Sequence, residues 1–412
     1  MVKRITAIAF IFACATIAWL VLGATIFSRT YSSDGESEPR VVSLWGAPQS
    51  QSPPAATTER VVDKKTETTE NGQKKILTEQ VKETKALPLE ASRVRVDLSL
   101  EHRQKGLLWY STYKVRFAAD YTFRNTSEVE NVRFALKFPA ERAIYDDLVF
   151  TVDNAAVALA NENNTASGEA KVAPGQTAVL RVSYRSQGLN DWRYSFGGDV
   201  AQVRDFRLHM TTDFKEIDFP ENALSPSEKT ETGAGWELDW DFNNLVTGYQ
   251  IGMAMPEKLQ PGPLAGRISF FAPVSLFFFF FLMFIITTMR GIELHPMNYF
   301  FLATAFFSFH LLLAYLVDHV SIHAAFAVSS VVSILLVVSY LRLVTGLRFA
   351  VGEAGVAQFI YLVMFSYAFF FKGFTGLAIT VGSILTLFVV MQVTGRVRWA
   401  EKFANKAAGT AA

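Results

Sequence analysis

Long apolar runs at both ends of the chain constrain the fold more than any other feature. Each run after Arg267 approaches the ~20 residues that an α-helix needs to cross the hydrocarbon of a bilayer. The runs cover residues 268–289, 296–317, 322–344, 354–371 and 374–394. We therefore predict a bundle of five membrane-spanning helices over 268–395. The shortest helix, over 354–371, is expected to stand nearly upright or to thin the bilayer.

The N-terminus carries a sixth apolar run. Lys3 and Arg4 precede a stretch that stays apolar as far as Phe27. A cleaved signal peptide has a shorter core, of about 7–15 residues, and needs small residues at its cleavage site. Leu22 is too large for such a site. We therefore predict that residues 1–27 form an uncleaved transmembrane anchor.

The distribution of basic residues predicts the orientation of these six helices. Cytoplasmic ends of membrane helices carry an excess of Lys and Arg. With the N-terminus inside, that side holds Lys3, Arg4, Arg290, Arg342, Arg348, Arg396, Arg398 and Lys402. The opposite short loops hold only Lys372 and Asp318, while Arg29 and Arg267 flank the polar middle of the chain. Both termini, including a tail over 396–412, are therefore expected in the cytoplasm.

The first part of the polar middle predicts two connecting segments. Residues 28–58 are rich in Ser, Pro and Gly, which indicates an extended connection. Residues 59–91 are charged and contain Asn71-Gly72, a strong signal for a two-residue hairpin turn. Folding the chain about this turn pairs Arg60 with Glu83, Val62 with Val81 and Lys64 with Glu79. Such pairs stabilise a two-stranded ribbon, although a charged disordered linker is the alternative.

Residues 92–256 show the alternation of apolar and polar residues that is typical of β-strands. In "SRVRVDLSLEHR", Val94, Val96, Leu98 and Leu100 fall on one face. Eight or nine such stretches, separated by turns, predict an all-β, sandwich-like domain between the first and second membrane helices. A linker over 257–267 leads back to the membrane.

Three polar residues cluster where the chain is predicted to turn on the outer side. Asp318, His319 and His323 lie between two spans, and the two histidines are four residues apart. On a continuous helix they would share a face and could bind a metal ion. The turn interrupts that helix, which favours a polar turn at the membrane surface and predicts no metal site. A contact surface for the β-domain is the third alternative.

His310 differs because it lies inside a predicted span. Ionisable groups within a membrane usually face the bundle interior and find a partner there. Ser329 or Ser333 on the next helix could supply a hydrogen bond. Ala325, Ser329 and Ser333 also recur every four residues, so their small side chains let a neighbouring helix approach closely. Packing is the expected role of this face, and a substrate groove is the alternative.

Composition and motifs exclude several classes of function. The chain has 39 basic and 38 acidic residues, so it lacks the positive field of a nucleic-acid-binding protein. The single cysteine excludes an intrachain disulfide and a cysteine zinc site. The sequence contains no nucleophile elbow, P-loop or zinc-peptidase motif. We therefore expect a protein that is not an enzyme and that needs no cofactor.

Longer stretches resemble the CreD family of bacterial inner-membrane proteins, whose name is linked to cell-envelope integrity. The C-terminal likeness covers "LHPMNYFFLATAFFSFHLLLAYLVDHVSIHAAF", "SYLRLVTGLRFAVGEAGVAQFIYLVMFSYAFFF" and "GFTGLAITVGSILTLFVVMQVTGRVRW". The polar part contributes "SRVRVDLSLEHRQKGLLWYSTYKVRF" and "LWGAPQSQSPP", which is similar to a Trp-Gly-x-x-Gln segment of the family. This segment departs from the family pattern, because Ser-Gln-Ser-Pro-Pro replaces the expected Gly-Pro. The resemblance implies six helices and a periplasmic β-domain, and it implies no catalytic residues.

The predicted function is therefore non-enzymatic support of cell-envelope integrity or of a stress response. The periplasmic β-domain and the transmembrane bundle would act on an envelope protein, a lipid or a cell-wall component. A transporter or channel is one alternative, although the spans lack paired charges, broken helices and a clear inverted repeat. A ligand-sensing receptor is the other alternative. The sequence leaves the oligomeric state open.

Overall fold

The computed structural model describes residues 2–70, 73–105, 108–141, 143–197, 201–371, 373–395 and 397. Among them, six helices are long and apolar enough to cross a membrane, in agreement with the sequence. The helices are α1 (Val2–Trp45), α2 (Pro261–Arg290), α3 (Pro296–Leu316), α4 (Ile322–Thr345), α5 (Leu347–Phe370) and α6 (Thr375–Thr394). Most described residues before 37 and after 258 form one compact unit, and most of the others form a second.

Helix α1 is longer than the sequence predicts. The expected extended connection over 28–58 is wrong for its first part, because the helix continues to Trp45 and includes Pro39. Adding a residue to an existing helix forms one hydrogen bond without a new nucleus, so a polar composition alone does not end a helix. The Thr30 hydroxyl donates to the Ile26 carbonyl, 2.8 Å away, and remains compatible with the helix.

Two further helices begin earlier than expected. Helix α2 starts at Pro261, inside the predicted linker, so Pro273 lies in the helix interior rather than in its first turns. Helix α5 starts at Leu347 and has 24 residues, so the expected short span over 354–371 is wrong. The Glu353 carboxylate pairs with the Arg290 guanidinium of α2. This partner allows a charged residue within α5.

The core of the membrane unit is formed by aromatic and aliphatic side chains of α2 to α5. The ring of Phe279 on α2 packs against that of Phe306 on α3 at an angle of 34°, with ring centroids 5.2 Å apart. Phe309 meets Phe326 of α4 edge to face at 5.3 Å. Helix α1 adds one wholly buried side chain, Trp19, to this core. Dispersion and close packing hold such helices together, because apolar lipid removes the hydrophobic advantage of burial.

The second unit is built from β-strands. They are β1 (Gln49–Gln51), β2 (Ala55–Glu70), β3 (Gln73–Ala86), β4 (Leu89–Lys105), β5 (Leu108–Arg124), β6 (Asn131–Lys137), β7 (Asp146–Val152), β8 (Ala155–Ala156), β9 (Ala160–Glu162), β10 (Thr165–Lys171), β11 (Thr177–Leu189), β12 (Asp191–Tyr194), β13 (Ala201–Thr212), β14 (Glu228–Glu231), β15 (Trp236–Thr247) and β16 (Ile251–Ala254). The three sheets have the orders β1-β12-β16, β3-β2-β6-β10-β9 and β14-β15-β13-β4-β5-β11-β7-β8.

Alternation of side chains gives the eight-stranded sheet one buried and one exposed face. On β4, Val94 and Val96 are buried while Arg95 is exposed. The buried face packs against the five-stranded sheet, where Phe123 of β5 meets Phe134 of β6 at 5.8 Å. This arrangement is the expected sandwich-like domain, with more short strands than the sequence pattern reveals.

Strands β2 and β3 form a long antiparallel ribbon. The backbone register pairs Arg60 with Glu83, Val62 with Val81 and Lys64 with Glu79, the same pairs that the charge pattern predicts. The start of β2 also pairs with β6, so the ribbon extends one edge of the five-stranded sheet. The turn residues Asn71 and Gly72 lie outside the described residues.

The Trp-Gly-x-x-Gln segment leads into β1 and is anchored to β11 of the eight-stranded sheet. Gly46 has a φ of +95°, and a Cβ there would approach the Gln187 carbonyl oxygen to 2.3 Å, so only glycine fits. The buried Gln49 amide donates to the Ser186 hydroxyl and to the Gln187 carbonyl, at 2.8 and 2.9 Å. The segment therefore has a local structural role, which the sequence pattern alone did not explain.

Candidate functional site

His310 lies within the buried interior of the membrane unit. Its side chain on α3 is wholly buried and meets the indole of Trp19, with ring centroids 5.6 Å apart and ring planes at 84°. Neither imidazole nitrogen has a hydrogen-bond partner among the described residues, and the same holds for Trp19 Nε1. The sequence predicted burial and a partner, and the structure shows the burial alone.

The two predicted serine partners of His310 lie on α4 and make other contacts. The Ser333 hydroxyl donates to the Ala305 carbonyl of α3 at 2.6 Å and accepts from the Gln358 amide of α5 at 2.8 Å. The Ser329 hydroxyl is buried without a partner in the described part of the chain. Both serines are wholly buried, so their small side chains permit the close approach of α3 and α4.

Ser275 on α2 lies at the same depth as His310. The contact between Phe279 and Phe306 sets the register of the antiparallel helices α2 and α3. One turn along each helix from this contact leads to Ser275 and His310. The Ser275 hydroxyl is also buried, and no described residue bonds to it. We call Trp19, Ser275, His310 and Ser329 the unpaired polar set.

Gln358 is a functional candidate that was not predicted from the sequence. It lies between two stretches of α5 with wider, π-helical turns, Ala350–Gly355 and Phe359–Met364. Its side chain is wholly buried, and its amide oxygen has no partner within the described chain. π-Helical turns occur frequently at functional sites. A lone glutamine within an apolar span was the available sequence signal.

The turn between α3 and α4, over residues 317–321, contacts α1 within the membrane unit. The Arg29 guanidinium lies 3.1 Å from the Asp318 carboxylate and donates to the Ala314 carbonyl at 2.8 Å. It also lies over the Tyr315 ring, 5.6 Å from the centroid. Arg29 therefore caps the C-terminal end of α3, where orphan carbonyls favour a cation. From the sequence alone, Arg29 was considered only in predicting the orientation of the helices.

The two histidines at the turn between α3 and α4 have different surroundings. His319 is exposed in the turn, where its backbone N–H donates to the Leu316 carbonyl. His323 lies in the first turn of α4, and its ring packs against Phe370 at 5.1 Å. No three potential His, Cys, Asp or Glu ligands come together among the residues that the structure describes. A contact of Asp318, His319 and His323 with the β-domain stays a prediction.

The exposed face of the eight-stranded sheet contains two adjoining grooves. The larger has a volume of about 960 Å³ and the smaller about 270 Å³. Both are lined by Arg95, Ala118 and Ser183, so these residues mark the place where the grooves meet. Ala118 is exposed, and its small side chain leaves room above the strands. The sequence predicted polar residues on this face but no groove.

These observations define a multi-pass membrane protein in which a β-rich domain separates the first of six apolar helices from the other five. The family model described as "Inner membrane protein CreD" matches residues 1–400, so the chain belongs to the CreD family of inner-membrane proteins. None of the curated proteins compared with the chain matches it.

The similarities to solved structures are weak. A putative nutrient binding protein from Legionella pneumophila shares 13% identity over 47% of this chain and 71% of that chain, with a TM-score of 0.32. An M1 zinc metallopeptidase from Deinococcus radiodurans shares 10% identity over 41% of this chain and 42% of that chain, with a TM-score of 0.25. Neither similarity carries an argument about the fold or the activity.

Proposed function

We propose that this protein supports cell-envelope integrity without being an enzyme, by binding an envelope partner. The β-domain lies in the periplasm in this proposal, and both termini lie in the cytoplasm. The excess of basic residues at the inner ends of the helices and the membership of an inner-membrane family support this orientation. The link of the family name to envelope integrity supports the cellular role.

The observation that carries the binding role is the exposed face of the eight-stranded sheet. A sheet in which antiparallel pairs predominate commonly exposes one face to solvent. Scattered polar residues make such a face soluble, and no groove is needed for this. On this sheet the face forms an open groove of about 960 Å³ with arginine side chains along its walls. Concave surfaces with a few convergent polar groups are the usual form of binding sites.

Restoration of detergent resistance in cells that lack the protein tests this proposal. The intact chain should restore growth, and a chain without residues 60–255 should not, although it is still inserted in the membrane. Immunoblots of membrane fractions control for the amount of each protein. The proposal fails if loss of the protein leaves detergent sensitivity unchanged, or if the chain without 60–255 restores resistance.

Transport is the second candidate, and two observations in the bundle favour it. The unpaired polar set lies deep between helices, and α5 contains π-helical stretches on both sides of Gln358. The structure also pairs Arg290, at the end of α2, with Glu353 near the start of α5, whereas no paired charges were predicted from the sequence. Buried polar groups and irregular helices are typical of transport pathways.

The transport candidate makes a separate prediction. Replacement of His310 by Phe should abolish function if the unpaired polar set conducts a substrate or a proton. The same replacement should preserve function if the protein acts by binding a partner through its β-domain. Detergent resistance at matched expression distinguishes the two candidates.

A further inference from the structure

The arginines of the two grooves fall into two classes. Most of them already have a carboxylate partner within the sheet or its loops. These pairs are Arg93 with Asp205, Arg181 with Asp120, Arg185 with Asp146 and Arg207 with Asp241, at 2.6, 2.7, 2.9 and 3.2 Å. Their charges are therefore matched by the protein itself.

Arg95 and Arg116 form the second class. Both side chains are exposed, and neither makes an ion pair or hydrogen bond with any residue that the structure describes. Arg95 lies where the two grooves meet, and Arg116 lines the smaller one. The neighbour of Arg95 on β13 is His209, whose Nδ1 lies 2.7 Å from the Asp239 carboxylate. The nearby carboxylate of Asp239 is therefore in contact with His209 and not with Arg95.

The surroundings of these arginines leave room for a ligand. Ala118 and Ser183 line both grooves and project little above the sheet, whereas a long side chain at either position would fill the space. An arginine presents a planar fork of donors that matches the two oxygens of a carboxylate. Two free forks beside a shallow floor can therefore bind two carboxylates.

The acidic groups of the grooves indicate what else the ligand carries. Asp97 accepts a hydrogen bond from the Thr211 hydroxyl at 2.7 Å, and Asp147 pairs with Arg185. Glu228 is exposed in the larger groove and has no cationic partner among the described residues. The surface therefore offers two arginines without a carboxylate partner and one carboxylate, that of Glu228, whose side chain has no partner among the described residues. A ligand with several carboxylates and one amine complements this pattern.

We propose that this face of the sheet binds a short acidic peptide. Carboxylates of the peptide pair with Arg95 and Arg116, and its free α-amino group pairs with Glu228. This inference rests on the proposed function, because it names the chemistry of the partner that the β-domain binds. It assigns affinity to three exposed side chains rather than to the buried residues of the membrane bundle.

Isothermal titration calorimetry with the full chain in detergent tests the inference. The probe is tetraglutamate with a free amino group, titrated at low salt. The double substitution R95Q/R116Q should weaken binding about tenfold, since each exposed ion pair contributes modestly. R204Q is the matched control, because Arg204 is an exposed arginine of β13 that lines neither groove. Binding should also weaken in high salt.

A second comparison tests the amino group of the peptide. E228Q should weaken binding of tetraglutamate and leave binding of its N-acetylated form unchanged. Equal effects on both peptides would contradict the role assigned to Glu228. Circular dichroism before titration shows whether each variant retains its fold.

Three outcomes would overturn the inference. They are no binding by the unaltered protein, equal binding by R95Q/R116Q, or binding of inorganic phosphate as tight as that of the peptide. If the peptide does not bind but the chain restores detergent resistance, this inference fails and the proposed function stands. If the chain restores nothing, the proposed function fails regardless of what binds.

Discussion

The exposed sheet face and the interior of the helix bundle both contain polar side chains without a described partner. On the sheet, Arg95 and Arg116 are exposed and solvated by water. Their lack of a partner within the protein therefore costs little stability. In the bundle, Trp19, Ser275, His310 and Ser329 are wholly buried. Each unpaired polar atom there costs about 1–3 kcal/mol. The sheet can therefore keep free charges for binding, whereas the bundle keeps unpaired groups against its own stability.

The largest expected effect concerns the part of the bundle in which polar groups are paired. Ser333→Leu removes the hydroxyl that bonds to the Ala305 carbonyl and to the Gln358 amide. It also inserts a large side chain between α3 and α4. Overpacking and a newly unpaired amide should together cost about 3 kcal/mol of stability. The midpoint of thermal unfolding in detergent should fall clearly.

The same replacement elsewhere on α4 supplies the control. Ser339 is exposed and its hydroxyl bonds only to the Leu336 carbonyl of its own helix. Ser339→Leu should leave the unfolding midpoint nearly unchanged. Equal losses from both replacements would show that the pairing at Ser333 has no special value.

A smaller effect of opposite sign is expected within the unpaired polar set. His310→Phe keeps an aromatic ring against Trp19 and removes two buried nitrogens without partners in the described chain. The free energy of unfolding should rise by about 1 kcal/mol. His319→Phe in the exposed turn should change little. A clear loss of stability in His310→Phe would mean that the imidazole has a partner, and the contrast between sheet and bundle would be wrong.

The ion pair at the turn between α3 and α4 lies between these extremes of burial. The Arg29 and Asp318 side chains are 33% and 27% exposed, so their ion pair should contribute about 1 kcal/mol. A double-mutant cycle with Arg29→Gln and Asp318→Asn measures this coupling. Arg267→Gln removes an exposed arginine of the same unit and serves as the control. A coupling energy of zero would show that the contact between Arg29 and Asp318 does not stabilise the protein.

The smallest expected effect is on the sheet and depends on pH. A hydrogen bond from Arg103, 2.8 Å from the Glu101 carboxylate, lowers the pKa of Glu101. A lowered pKa in the folded protein adds stability above the ordinary pKa of 4.5, and this stability is lost as pH falls through the folded value. Solvent screening limits the contribution to about 0.3 kcal/mol.

Glu101→Gln tests this contribution. The variant should unfold slightly earlier than the unaltered protein at pH 7, and the difference should vanish at pH 3. Glu237→Gln is the control, because Glu237 is an exposed glutamate of β15 that makes no ion pair with any residue the structure describes. A difference that grows at low pH would contradict a lowered pKa of Glu101 in the folded protein.

Much of the fold could be predicted because it depends on local pattern. Six apolar runs give six helices, alternation gives the long strands β4 and β5, and opposite charges give the register of the ribbon. The helix ends were less accurate. Helices α1, α2 and α5 extend beyond their apolar runs. In α1 and α5 the added segments contain charges with partners: Arg29 pairs with Asp318 in the turn after α3, and Glu353 pairs with Arg290 of α2.

The candidate sites were harder to predict because they depend on distant neighbours. Burial of His310 follows from its position in a span, but its contact with Trp19 joins residues almost 300 positions apart. The pairing of Ser333 with Gln358 requires the packing of α4 on α5. Arg95 can be recognised as unpaired only when the carboxylate partner of every other arginine in the larger groove is known.

Detergent resistance of two variants at matched expression tests most directly which of the two regions carries the function. We predict that His310→Phe restores resistance to cells lacking the protein and that R95Q/R116Q does not. Restoration by R95Q/R116Q together with failure of His310→Phe would place the function in the bundle and contradict a binding role for the sheet.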